Sequence, residues 1–233
     1  MLKIAICDDE KIFLQKIGKL VLDYVNKNNI NIEVQYFLSG EELLGVKDSY
    51  DIIFLDVEMP KVSGIEVGYQ LKKRNNQAKI ILVTSHNEVY KTGYKIDAFR
   101  FVTKPIDKEE LFEAIESAIS AMIGQNRVLL STNGAKQSVK QKDIIYVLAD
   151  GSQTILFTKN MSYRSEKTLE YWGEELDKRL FVRTHRSYLI NMSVIVSFTK
   201  NEISIETGEK IPISRRKYND FRKKYIEFDV NYR

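Results

Sequence analysis

Ile52-Ile53-Phe54-Leu55-Asp56-Val57-Glu58-Met59-Pro60 is the stretch whose reading decides the fold. Four apolar residues in a row suit a strand covered on both faces, and an acid follows at once where the strand ends. The same device recurs along the first half of the chain. Asp8 and Asp9 follow Lys3-Ile4-Ala5-Ile6-Cys7, Thr84 follows Ile80-Ile81-Leu82-Val83, and Lys104 follows Phe99-Arg100-Phe101-Val102-Thr103. Open parallel sheets bind ligands at the C-terminal edge of their strands. Three carboxylates, a hydroxyl and an ammonium gathered there need a cation and an anion to settle their charges, which is the chemistry of a phosphoryl-accepting aspartate.

The segments between these strands have helical patterning. Ile12, Leu14, Ile17, Leu20, Val21, Leu22 and Val25 suit a helix over 11–25, and Leu111, Phe112, Ala114, Ile115, Ala118, Ile119 and Met122 one over 108–122. Ser39-Gly40-Glu41-Glu42 reads as a capped helix start. Strict alternation of strand and helix predicts a parallel sheet with right-handed crossovers. After the polar Gly124-Gln125-Asn126 the pattern changes. Strand signals dominate: 127–131, 144–148, 154–158, 181–184, 188–190, 194–198, 202–206 and 210–213. Asn133-Gly134, Asp150-Gly151, Thr199-Lys200-Asn201 and Thr207-Gly208 supply turns between them. Helical patches remain at 165–176, opened by Ser165 or Thr168, and at 216–225. The chain therefore divides into domains 1–123 and 124–233, α/β and mostly antiparallel β.

A length of 233 residues is ample for two cores. No uncharged apolar run approaches the roughly 18–20 residues of a membrane span, so no direct membrane insertion is expected. The chain starts straight into a strand-like run, and no signal peptide is expected. A single cysteine, Cys7, excludes an internal disulfide and a cysteine-based zinc cluster and suits a reducing cytoplasmic setting. The reading for Cys7 is a buried, inert thiol. Residues 1–123 hold 16 Lys and Arg against 19 Asp and Glu, a net of −3, whereas residues 124–233 hold 20 against 13, a net of +7. Only the second half is equipped to meet a polyanion.

An aspartate at a strand end is ordinarily a cap or turn residue; the ordered set on successive strand ends is what is specific. Asp56, alone at the centre of the sheet edge, is the nucleophile of choice, and two or three carboxylates plus a backbone carbonyl suit magnesium. Cys7-Asp8-Asp9-Glu10, Leu55-Asp56-Val57-Glu58-Met59-Pro60 with Gly64, Thr84-Ser85 and Lys104-Pro105 resemble the receiver domain of bacterial two-component response regulators. The resemblance implies a flavodoxin-like, five-stranded parallel sheet of order 2-1-3-4-5 with Asp56 as phosphoacceptor. It implies Asp8 and Asp9 as the acid pair holding Mg²⁺, with the Glu58 carbonyl as a further ligand. It also implies Lys104 as the cation at the phosphate and Thr84 with Phe101 as the switch pair. Phe101 stands where the family commonly has tyrosine.

In the basic half three clusters could meet DNA: Asp150-Gly151-Ser152-Gln153-Thr154, Arg183-Thr184-His185-Arg186-Ser187-Tyr188 and Ser214-Arg215-Arg216-Lys217. Arginine suits guanine or phosphate and glutamine suits adenine. With Asp143-Ile144-Ile145-Tyr146 and Ile211-Pro212-Ile213, these segments resemble the LytTR family of DNA-binding domains, whose loops enter DNA grooves. By that resemblance Arg186 and Arg216 are the best-matched contacts, with His185 and Arg215 beside them and Gln153 or Thr154 in a third, variable loop. Receiver plus LytTR is the arrangement of regulators of quorum sensing and virulence, including accessory-gene regulators. It implies a membrane sensor histidine kinase, promoter DNA and RNA polymerase as partners. It implies a homodimer on phosphorylation and regulation of transcription rather than enzymatic turnover. The competing reading is a phosphorylation-independent interaction adaptor with a DNA-binding tail.

Overall fold

The computed structural model describes residues 1–28, 30–74, 76–85, 96–132 and 135–232. Most of the helix-length segment between Thr84 and Phe99, and the Asn133-Gly134 turn, lie outside the described residues. By its contacts the chain forms two compact units, Met1–Ala118 and Ile119–Arg233.

In the first unit β1 (Leu2–Cys7), β2 (Ile32–Phe37), β3 (Ile52–Asp56), β4 (Lys79–Thr84) and β5 (Arg100–Thr103) form one parallel sheet in the order β2-β1-β3-β4-β5. This is the receiver order expected from the sequence. Every residue of β3 is buried, as a central strand covered on both faces requires. Helix α1 (Lys11–Lys27) buries Leu14, Ile17, Gly18, Val21 and Val25, a stripe of helical period, against the sheet. Short α2 (Gly40–Gly45) starts at Ser39, whose hydroxyl accepts the Glu42 amide. Helix α3 (Gly64–Lys73) starts with a full capping box between Ser63 and Glu66. Helix α4 (Lys108–Met122) buries Leu111, Ala114 and Ile115. Register brings the strand ends level: Cys7 lies opposite Leu55, Asp56 opposite Val83, and Thr84 opposite Thr103. That alignment carries Asp8, Asp56, Thr84 and Lys104 to one edge.

The second unit is mostly antiparallel. A hairpin pairs β6 (Arg127–Thr132) with β7 (Ala135–Lys140). A five-stranded sheet runs β10 (Ser162–Ser165), β9 (Gln153–Thr158), β8 (Ile144–Asp150), β12 (Tyr188–Asn191), β11 (Phe181–His185). A three-stranded sheet pairs β13 (Ile195–Phe198), β14 (Glu202–Ile205) and β15 (Lys210–Pro212). Short α5 (Leu169–Glu175) and terminal α6 (Tyr218–Tyr232) complete the unit around a core containing Trp172, Phe181, Ile190, Phe221 and Phe228. Gly151, at φ 63°, fills the first central position of the two-residue β8–β9 turn, where a type II′ turn requires glycine.

Two sequence expectations need correction, and one pair of alternatives is resolved. Strands β7 and β10 were not anticipated, because β7 buries little beyond Val139 and β10 has only four residues. Thr168, not Ser165, caps α5 by accepting the Tyr171 amide, since Ser165 closes β10. The last helix starts at Tyr218, so Arg216 lies in the preceding turn: the Ser214 amide is already bonded to the Thr184 carbonyl at 2.9 Å, which ties that turn to β11.

Candidate functional site

At the edge of the parallel sheet Asp8, Asp56 and Thr84 are almost completely buried, and Asp9 is more open. Carboxylate oxygens of Asp8, Asp9 and Asp56 come within 4.8 Å of one another. The Lys104 ammonium bridges two of these acids, 2.9 Å from Asp8 Oδ2 and 3.0 Å from Asp56 Oδ1. Its remaining side is covered by the Phe13 ring, whose centroid lies 3.9 Å from Nζ. The Lys104 side chain is only 8% exposed, so this cation has exchanged water for two anions and an aromatic face.

Electrostatics follow from that burial. Asp56 is pushed up to about 6: desolvation is the largest cause and the Asp8 charge adds to it, while Lys104 and the Glu58 backbone amide pull the other way. Burial alone would lower the Lys104 ammonium, but the Asp8 and Asp56 carboxylates outweigh it and raise the group above its ordinary value. Cys7, just beneath, is pushed up to about 12 by burial and then by the surrounding acids, so it stays a thiol. Its sulfur lies 3.4 Å from the Ser39 carbonyl and 3.6 Å from Met59 Sδ.

Asp8 Oδ1 accepts the Glu10 amide at 2.9 Å. Among the described residues no donor meets buried Asp8 Oδ2 in good hydrogen-bonding geometry, although the Lys104 ammonium lies 2.9 Å away. A buried carboxylate oxygen without a hydrogen bond, facing two further carboxylates, is a donor set that fits a hard divalent cation such as magnesium. The Asp56–Val57 backbone is held as tightly as its side chain. Val57 N donates to the Val83 carbonyl at 3.0 Å, and Gly64 N to the Val57 carbonyl at 3.0 Å. A Cβ on Gly64 would stand 2.0 Å from the Asp56 carbonyl oxygen, so glycine is what lets α3 start this close to the site. Lys104 N bonds the Thr84 carbonyl at 2.8 Å, and half-buried Phe101 lies opposite Leu82, two residues before the Thr103–Thr84 pair. Glu58 meets Asp56 through its backbone amide.

In the second unit the three candidate clusters, distant in sequence, meet at one end of the five-stranded sheet. Ala149 N donates to the Ser187 carbonyl at 2.9 Å, joining the end of β8 to the β11–β12 turn, and Ser214 N to the Thr184 carbonyl joins that turn region to the 214–217 turn. Arg186, Arg215 and Arg216 are exposed there; His185 and Gln153 are half-buried. His185 Nδ1 accepts the Ser187 amide at 3.2 Å, so Nε2 is the ring nitrogen left for other contacts. Thr154 does not belong to this surface. It is 1% exposed, and its hydroxyl accepts from Trp172 Nε1 at 3.0 Å and donates to the Lys167 carbonyl at 2.9 Å. Arg183, half-buried, is engaged within the protein, by the carbonyls of His185 and Arg186 and the carboxylate of Glu170.

The sequence reading missed Phe13, Glu170 and Trp172. Phe13 carries a faint signal: it falls one position before Leu14 of the buried stripe on α1, in the helix turn that follows the acid pair.

Two family models match this chain: the response regulator receiver domain over residues 4–116 and the LytTr DNA-binding domain over residues 136–226. The chain is a receiver–LytTR response regulator. As such it is a two-component regulator with a receiver and a DNA-binding domain. This response regulator is similar to the sensory transduction protein LytT of Bacillus subtilis, with 25% identity over 96% of this chain and 98% of the relative. It is similar to the transcriptional regulatory protein LytR of Staphylococcus aureus, with 25% identity over 95% of this chain and 98% of the relative. A solved LytTr DNA-binding domain from Bacillus cereus aligns with 43% of this chain and 97% of its own, at 24% identity and a TM-score of 0.41. No helix among the described residues is long and apolar enough to cross a membrane.

Proposed function

We propose that this response regulator is a cytoplasmic transcription regulator switched by phosphorylation of Asp56 by a membrane sensor histidine kinase. The observation that carries this reading is the Lys104 ammonium lodged between the buried carboxylates of Asp8 and Asp56. In the reaction an Asp56 oxygen attacks the phosphorus of the kinase's phosphohistidine. The O–P bond forms as the N–P bond breaks, and the imidazole nitrogen takes back the bonding pair. Lys104 faces the phosphoryl oxygens and offsets their charge. The Thr84 hydroxyl then bonds a phosphoryl oxygen, and Phe101 turns inward into the space that Thr84 vacates. Asp8, Asp9, Asp56 and the Glu58 carbonyl would hold Mg²⁺, which when bound neutralises charge on the transferring group.

Phosphorylation shifts a pre-existing equilibrium towards a receiver homodimer. Two DNA-binding domains, residues 124–233 of each copy behind receivers of residues 1–123, are then presented together, and effective concentration raises affinity for paired promoter sites. There Arg186, Arg215, Arg216, His185 and Gln153 contact DNA, and the bound dimer acts on RNA polymerase. The test is labelling with a small acyl phosphate. Wild type should label only with Mg²⁺, and Asp56→Asn should not label; equal labelling of the variant overturns the assignment. Selection from random duplex DNA, with and without phosphorylation, tests the second half of the reading.

A further inference from the structure

We infer that Glu170 and Arg183 form a brace that presets the DNA-contacting turn at His185–Ser187, with helix α5 as its anchor. The inference rests on the DNA-binding role proposed above. Arg183 lies in β11, inside a basic cluster, and charge alone would make it a phosphate contact. Its guanidinium is used otherwise. Nη2 donates to the Arg186 carbonyl at 2.8 Å, Nε reaches the His185 carbonyl at 3.4 Å, and Nη1 donates to Glu170 Oε1 at 2.8 Å. A planar fork spreads its donors over three nitrogens and so serves two turn carbonyls and a carboxylate at separate points, whereas a lysine has all its donors on one atom. The turn that carries Arg186 is thus held from below by a side chain of the preceding strand.

Glu170 sits in the first turn of α5, with its side chain 69% exposed. A carboxylate so close to a phosphate-binding surface opposes DNA by simple charge. Its use is geometric: it fixes the far end of the guanidinium. The same helix also holds the neighbouring loop, because Trp172 Nε1 bonds the Thr154 hydroxyl, next to Gln153, at 3.0 Å. One seven-residue helix therefore holds Arg183 behind one turn and Thr154 at the foot of the other. Arg183 and Glu170 are positioning residues and touch no base.

Charge and geometry predict opposite signs, and the test uses that. Full-length wild type and variants are titrated with two duplexes, one enriched by wild type from a random library and one scrambled, at several salt concentrations. Glu170→Ala should bind the enriched duplex at least about fivefold more weakly and the scrambled one no more weakly. If it binds both more tightly, as loss of a repelling charge alone requires, or changes neither, the brace is wrong. Arg183→Lys keeps the charge and loses the fork; it should lose discrimination while keeping the wild-type salt slope on the scrambled duplex. A lysine variant that discriminates like wild type overturns the inference. Arg183→Ala should also keep that slope, whereas loss of a direct phosphate contact lowers it by about 0.9. Glu170→Ala added to Arg183→Ala should have little further effect, since the two act as a unit. Exposed Glu170 tolerates substitution, so that arm decides even if an Arg183 variant folds poorly. If wild type enriches no duplex, the DNA-binding reading fails and the inference with it.

Discussion

Asp56→Asn should stabilise the metal-free receiver at neutral pH, although it removes the proposed phosphoacceptor. In the fold the Asp56 carboxyl is raised from 3.8 to about 6, mainly by burial and then by Asp8. The group is 2% exposed, so solvent does not screen the penalty away. That rise amounts to about 3 kcal/mol against the ionised form. Its sign is unusual for an aspartate. Below 3.8 the carboxyl is protonated in both states and costs nothing. Between 3.8 and about 6 the unfolded chain releases its proton while the folded chain keeps it, so stability falls as pH rises; above about 6 the full penalty is present. Asparagine carries no charge to desolvate and leaves Lys104 paired with Asp8. In EDTA the variant should therefore exceed wild type by about 3 kcal/mol near pH 7.5 and by only about 1 kcal/mol near pH 4.5. Mg²⁺ should close the gap by binding wild type better. Urea unfolding followed by circular dichroism reports both units, and the receiver transition is the one that should shift. The single tryptophan, Trp172, lies in the other unit, so its fluorescence transition serves as an internal control. A gap that is absent at neutral pH, or that grows on acidification, would refute the reasoning.

Gly64→Ala must move the Asp56 carbonyl, 2.0 Å from the new Cβ, and should cost the receiver about 1–3 kcal/mol in urea and slow labelling of Asp56. Gly173→Ala in α5 meets nothing within 4 Å and should stabilise the second unit by about 0.5–1 kcal/mol, read by Trp172 fluorescence. Phe13→Leu keeps an apolar cover but loses the ring over Lys104; labelling with a small acyl phosphate should slow about twofold to tenfold, and Phe13→Trp should retain the wild-type rate. Arg216→Ala should lose about 1–3 kcal/mol more on a specific duplex than on a random one. Lys223→Ala, at an exposed position of α6, should weaken both alike and flatten the salt slope. Equal loss on both duplexes for Arg216→Ala would reduce it to a backbone contact.

The receiver half was legible because one rule repeats: an apolar strand stops and a polar group appears. Sheet register then does the rest, levelling Asp8, Asp56, Thr84 and Lys104 without any further signal in the chain. What the chain does not display is how neighbouring groups use each other. Phe13 reads as one more apolar helix residue until its ring is seen over an ammonium. Arg183 reads as a DNA contact, because composition reports its charge and not the direction of its donors. Thr154 looks like a polar loop residue, yet the Trp172 indole needs a buried acceptor and takes it. Ser214-Arg215-Arg216 resembles a helix cap, but the Ser214 amide is engaged by β11 and the helix opens later. Strand β7 has its one fully buried side chain at Val139, too weak an alternation to read.

The three turns proposed to face DNA are tied to one another by backbone bonds such as Ala149–Ser187 and Ser214–Thr184, between residues far apart in the chain. Such contacts form only once all three turns are present. A ribosome-bound chain has its receiver complete well before residue 214 emerges, so a nascent regulator can acquire its switch before it has any reading head. On the function proposed above, a product cut short before the Ser214 turn would lack the third side of that head, and would compete for the kinase without competing for the promoter.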